Sequence, residues 1–247
     1  MWIAFAPVWR LVIAFVVGKR TQEQADLLLA RVRAVTDDHI PFFTSDQWGA
    51  YDQALLKAYG ERYQPQRQGH KGRYPLPQLR PTPELLYAQV VKRREKGRVV
   101  EITRKIIFGD EEAIKSKLAD SANSTTINTS FVERDNLTWR ERNRRLTRKT
   151  TGFSKDLTWM EKQFWLSMAY YHFCLPHKSL RQKLPELKPT RGNGSPQKWK
   201  QITPAMAAGM TDHLWTTSEL LGYRVPAHFL DTLDSIAHLF PRLDDSN

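Results

Sequence analysis

FFTSDQWGAYDQAL, residues 42–55, is the stretch whose reading decides the fold of this chain. The short apolar run Ile40–Thr44 predicts a buried strand that leaves through Ser45 and Asp46, and Ala50–Tyr59 predicts a helix behind it. A carboxylate at that exit stands at the carboxyl edge of a sheet, where open α/β sheets form their sites. The other reading of Asp46 is a cap for the helix that follows. Sequence alone leaves both open.

Upstream, Trp2–Ala6 and Leu11–Val17 are rich in β-branched and aromatic residues and predict a hairpin, with its turn at Pro7–Arg10 and its end at Gly18. This apolar stretch could also be taken for a membrane segment. Pro7 and Arg10 interrupt it, no basic region precedes it, and the unbroken runs are too short to span a bilayer, so no membrane partner is expected. A membrane-associated basic protein is nonetheless a distinct third reading. Thr21 then offers a helix N-cap with Gln24 three residues on, and Ala25, Leu28, Leu29 and Val32 recur at helical spacing. A helix is expected over 22–35, ended by Asp37 and Asp38.

Downstream, residues 60–83 carry Pro, Gly, Gln and Arg without apolar period and predict an exposed basic loop. Leu85–Lys92 and Arg98–Phe108 predict an inserted hairpin joined by the basic turn Arg93–Gly97. Further elements are expected as a helix over 111–119, a strand over 125–128, and helices over 131–149 and 158–173. Residues 185–204 are a linker by composition, followed by a tail with two short helical stretches. The organisation is one main domain: residues 1–59 as the first part of its core, 60–110 as loop and inserted hairpin, 111–184 as the second part, and 185–247 as linker and tail.

The 247 residues suffice for one substantial core, and 40% hydrophobic with 26% charged residues is ordinary for a folded chain. The net charge of +12 is not ordinary. It favours a polyanion as partner, because neutralised phosphates release condensed counterions. A merely solvated basic surface is the alternative. The single cysteine, Cys174, excludes an intramolecular disulfide and any cysteine-rich zinc site, which suits a reducing cytoplasm.

The second informative stretch is TTINTSFVERDNLTWRERNRRLTRKTTGFSKDL, residues 125–157. On a continuous helix over 131–149, Glu133, Arg140 and Arg144 fall within about 40° of one face at 100° per residue. A carboxylate able to hold a metal ion would share a stripe with guanidinium groups able to hold phosphate. Arg148 and Lys149 extend that surface, and Lys92, Arg93, Arg94 and Lys96 form a second basic group on the hairpin. A solvated charged helix is the plainer reading. His172, Cys174 and His177 lie close in sequence and are read as packing groups rather than metal ligands, with His177, Lys178 and Arg181 as a further group able to meet a polyanion. Trp159, Phe164 and Trp165 are read as core.

FVERDNLTWRERNRRLTRKTTGFSK (131–155) closely resembles the motif around the catalytic glutamate of transposases of the insertion-sequence-one type, and TSDQWGAY (44–51) resembles that around their second aspartate. AFVVGKRT (14–21), STTINTSF (124–131), YYHFCLPHKSLR (170–181) and TPAMAAGMTDHLW (203–215) resemble further blocks of the family, in order, over nearly the whole chain except residues 60–83.

The resemblance implies a ribonuclease H-like α/β core: a mixed sheet with flanking helices and an inserted β-hairpin. It implies three acids holding two Mg2+ or Mn2+ ions for cleavage and strand transfer at DNA phosphodiesters. Asp46 would be the second acid and Glu133 the third, each a catalytic and metal-holding residue. Partners would be transposon ends and target DNA, with the chain acting as a homo-oligomer. The family's first aspartate lies on a strand before Trp2, so the expectation is a core without its first strand, a chain truncated at its N-terminus, and DNA transposition activity lost. A non-catalytic DNA-binding remnant is the alternative function.

Overall fold

The computed structural model describes residues 1–36, 39–67, 74–147, 151–190, 192, 194–229, 232 and 235–239. Asp37, Asp38, Arg148 and Lys149, assigned above to a helix end and to a DNA-binding surface, lie outside them. The chain is a mixed α/β protein that divides into two compact units where the sequence reading has one main domain. The first unit is Met1–Ala4 with Ile13–Asp135, the second Phe5–Val12 with Asn136–Asn247.

The first unit is built on β1 (Trp2–Ala6), β2 (Leu11–Val16), α1 (Gln22–Ala34), β3 (Phe43–Asp46) and α2 (Ala50–Tyr59), followed by β4 (Glu61–Tyr63), β5 (Gln78–Arg80), β6 (Tyr87–Glu95), β7 (Arg98–Phe108) and α3 (Glu111–Ala119). The helix α4 (Ser130–Arg142) begins in it and passes into the second unit. β1 pairs with β2 as a separate two-stranded sheet, whose outer end groups with the second unit. The central sheet has the order β3-β6-β7, with β3 parallel to β6 and β6 antiparallel to β7.

Both faces of β6 are covered over Tyr87–Val90, which explains why Tyr87, Ala88, Gln89 and Val90 are all buried. Tyr87 joins a cluster with Leu28, Leu29 and Val32 of α1 and Leu55 of α2, while Ala88 and Val90 point the other way to Ile114 of α3 and Ile127. A period of two therefore sends alternate side chains into two different cores.

Several expected elements come out differently, each for a local reason. The strand expected over 40–44 is shifted to Phe43–Asp46, where it finds Tyr87–Val90 as partners. Residues 125–128 are not a strand. Ser124 and Asn128 turn that segment on itself, Asn128 Nδ2 donating to Ser124 Oγ at 2.6 Å and the Ser130 backbone N–H donating to Asn128 Oδ1 at 3.2 Å. The loop 60–83 contains the short antiparallel pair β4–β5. The expected five-residue turn Arg93–Gly97 is two residues long: Lys96 (φ 48°) and Gly97 (φ 81°) take the doubly left-handed conformation of a type I′ turn. Arg93 and Arg94 consequently belong to β6.

The helix expected over 131–149 ends at Arg142. Asn143, 2% exposed, turns extended at φ −119° and ψ 106°, and its side chain accepts from the Arg145 N–H at 3.1 Å to start a separate 3-10 turn, Arg144–Leu146. Thr147 Oγ1 donates to the freed Arg140 carbonyl at 2.9 Å. The stripe of Glu133, Arg140 and Arg144 is thus broken before Arg144.

The second unit carries α5 (Leu157–Phe173), the antiparallel strands β8 (Gln182–Lys188) and β9 (Gln197–Lys200), and the short helices α6 (Pro204–Ala207) and α7 (Thr217–Gly222). Where a linker is expected over 185–204, the end of β8 and the whole of β9 stand instead. Trp139 from α4 is 1% exposed and packs edge-on against Phe164 and Tyr171 of α5 at centroid distances of 4.7 and 5.2 Å. Phe164 is core as expected, whereas Trp159 is 61% exposed in the first turn of α5 with the Lys162 ammonium 4.9 Å from its ring.

Candidate functional site

Asp46 is the last residue of β3, paired in register with Val90 of β6. The capping reading fails: the residue before α2 is Gly49, and no side chain caps that helix. Asp46 instead reaches the Arg20 guanidinium at 3.7 Å, both side chains being well exposed. Arg20 is itself steered by rings, its guanidinium carbon lying 5.0 Å from the centroid of Trp48 and 6.0 Å from that of Trp2, which stack on each other.

Glu133 sits in the first turn of α4, at the same end of the sheet. Two contacts fix it there. Thr44 of β3 donates to the Asn128 carbonyl at 3.3 Å just before α4, and Lys92 of β6, two residues beyond Asp46's partner Val90, donates to Glu133 Oε1. The Thr129 hydroxyl donates to the same oxygen at 2.9 Å. Partial burial works to raise the Glu133 pKa, but the Lys92 and Thr129 hydrogen bonds with the charges of Lys92 and Arg94 outweigh it and hold the carboxyl below its ordinary value.

Beneath Asp46 lies a polar network that the sequence reading missed. Ser45 Oγ donates to the Asp46 carbonyl at 2.7 Å and shares a 2.7 Å hydrogen bond with the Tyr87 hydroxyl. Gln89 Nε2 donates to that hydroxyl at 2.9 Å and to Asp52 Oδ1 at 2.8 Å. Burial raises the Asp52 carboxyl above its ordinary range and pushes Tyr87 up to about 12. The signal was present: Gln89 is a lone amide inside the apolar run Tyr87–Val91, and an amide there needs partners on its buried face.

Of the other residues singled out, Arg93 is tied to Glu95 on its own strand at 2.7 Å and to Glu101 across the hairpin at 3.0 Å, and Arg94 and Lys96 are exposed beside it. Arg140 is half-buried and Arg144 exposed in the second unit. His172 and His177 behave as packing groups. His172 Nε2 accepts from the buried Val12 N–H at 3.0 Å, and His177 Nδ1 accepts from the Ser179 N–H at 3.2 Å. Arg181 stacks over Trp199 at 4.2 Å.

Two divalent ions held by three acids, as the resemblance implies, need more ligands than these. Asp46 and Glu133 each already bear a protein cation, and among the described residues no group of three His, Cys, Asp or Glu side chains is arranged to hold a metal ion. The donor set among them is incomplete. What they can do is hold Arg20 and Lys92 at the sheet edge. Replacing Lys92 with Met removes one hydrogen bond and one charge that oppose desolvation at Glu133, while Thr129 and Arg94 remain, so its pKa is expected to rise. A carboxyl-carbon NMR titration of wild type and variant checks this, and an unchanged midpoint would show that Lys92 does not govern Glu133.

Among the described residues no helix is long and apolar enough to cross a membrane. Comparison of the chain with family models, curated proteins and solved structures finds no match.

Proposed function

We propose that this chain is a DNA-binding protein of transposase type, with a ribonuclease H-like core in which Asp46 and Glu133 are the second and third acids of the strand-transfer site. The observation that carries the reading is that Asp46 ends a parallel strand of the sheet whose next strand, through Lys92 two residues beyond the partner of Asp46, holds Glu133 in the first turn of α4. The end of a parallel strand is where open α/β sheets gather chemistry from separate segments. Two residues 87 positions apart are brought to one sheet, each within a motif resembling its counterpart in the insertion-sequence-one transposases. The net charge of +12 supports DNA as the partner.

The ion pairs Arg20–Asp46 and Lys92–Glu133, with the incomplete ligand set, favour binding over catalysis for this chain. Mg2+ or Mn2+ would be the cofactor once a third carboxylate joined them. Paired DNA ends would call for more than one copy, and the cytoplasm would be the place of action.

Purified protein is expected to bind labelled duplex DNA with an affinity that falls steeply with salt, each phosphate contact contributing about 0.9 to the logarithmic slope. Arg144→Glu is expected to lower that slope by about one. Strand transfer with Mg2+ is expected to stay at background. No duplex binding at low salt would overturn the reading, whereas strand transfer that Asp46→Asn abolishes would overturn the preference for binding over catalysis.

A further inference from the structure

We infer that the outer half of the β6–β7 hairpin is a two-stranded arm that enters the major groove of duplex DNA, with its Lys96–Gly97 tip leading. The inference rests on the proposal that DNA is the partner, and adds which element enters the duplex and by which groove.

β3 covers β6 only from Tyr87 to Val90, yet the ladder between β6 and β7 runs on to Glu95 and Arg98. Beyond Lys92, which Glu133 of α4 still holds, Arg93–Glu95 and Arg98–Glu101 therefore project past the sheet as a ribbon of two strands, about 10 Å long at roughly 3.4 Å per residue. The type I′ turn keeps the tip as narrow as the ribbon, since Lys96 and Gly97 are its only loop residues. A major groove about 12 Å wide and 8.5 Å deep admits an element of this width.

Charge and surface agree with the shape. Residues 91–103 contain five basic side chains against two acidic ones. Glu95 and Glu101 both pair with Arg93, while among the described residues no ion pair holds Lys96 or Arg98 at the tip. Between those charges the hairpin exposes Val99, Val100 and Ile102 at 42–50% of their surface. Exposed β-branched residues on a free ribbon are costly in water, and methyl-rich side chains suit the thymine methyl groups that line the major groove alone. The register shift between Arg93 and Arg94 adds local twist, which helps a ribbon follow the groove.

The test uses the full chain and two duplexes of one sequence, one unmodified and one with glucosylated hydroxymethylcytosine, whose sugars fill the major groove. Wild-type protein is expected to bind the glucosylated duplex at least tenfold more weakly. The double variant Lys96→Glu, Arg98→Glu, at exposed tip positions and checked for native circular dichroism, is expected to bind the unmodified duplex weakly and to lose the discrimination. Equal binding of both duplexes by wild type would overturn groove entry, as would discrimination that the tip variant retains. Failure of wild type to bind any duplex would overturn the DNA-binding proposal itself, which separates the two.

Discussion

Trp139→Ala is expected to destabilise the second unit by about 3–5 kcal/mol, the range for deleting a fully buried indole. The residue is 1% exposed, and the rings of Phe164 and Tyr171 close on it from two sides. Truncation removes both the apolar burial and two edge-to-face contacts, and the two remaining rings cannot fill the space of the third without leaving a cavity. Trp159→Ala supplies the contrast, because Trp159 is 61% exposed and its loss should stay within about 0.5 kcal/mol. Urea unfolding of the two variants followed by circular dichroism reads the difference. Equal midpoints would mean that the Trp139 cluster does not hold the unit together.

Acidification from pH 7 to pH 4 is expected to remove up to about 3 kcal/mol of stability through His172 alone. Burial lowers its pKa from 6.5 to about 4, and its Nε2 is engaged as acceptor from the Val12 N–H. In the unfolded chain the imidazole takes a proton near pH 6.5, while the folded chain resists until about pH 4. The unfolded state therefore binds more protons across that window. Stability contributed by this group is full above pH 6.5 and is lost as pH falls towards 4. His177 is lowered too, by burial and then by Arg10 and Arg142, and acts in the same direction. His172→Gln keeps an acceptor for Val12 but has no proton to gain, so its melting temperature should fall less over pH 6.5 to 4 than that of wild type. Parallel curves for the two proteins would remove His172 as the cause.

The sequence carried the elements well where periodicity and punctuation coincide. Thr21, followed by Ala25, Leu28, Leu29 and Val32, marks α1, and the structure starts that helix one residue after Thr21. The strand exit at Asp46 could be read because an apolar run stops there against polar residues. What could not be read depends on partners distant in the chain. Phe43–Asp46 becomes strand by pairing with Tyr87–Val90, so a proline-led run at 40–44 gave the right element two to three residues early. Asn143 interrupts a run of charged helix formers by bonding its own neighbourhood, a local competition that helix spacing ignores. Of the site, the two acids were legible as motif residues and Gln89 as a lone amide in an apolar run, whereas its partners Tyr87 and Asp52 and the pairing of Arg20 with Asp46 emerge only in three dimensions. Their neighbours in sequence give no reason to pair them.

The parallel pairing of β3 with β6 has a consequence for the order in which the molecule assembles. The hairpin β6–β7 closes through a two-residue turn, a process of microseconds, whereas Phe43 must wait for Tyr87 about forty residues further along the chain. Non-local pairing of this kind is slow because a long loop must lose its freedom before any contact rewards it. At a synthesis rate of about 5–20 residues per second, Asp46 leaves the ribosome seconds before the strand that will hold it. The end of β3 that carries Asp46 is thus among the last parts of the first unit to form, and a pulse of hydrogen exchange during refolding would find Phe43–Asp46 protected after the hairpin.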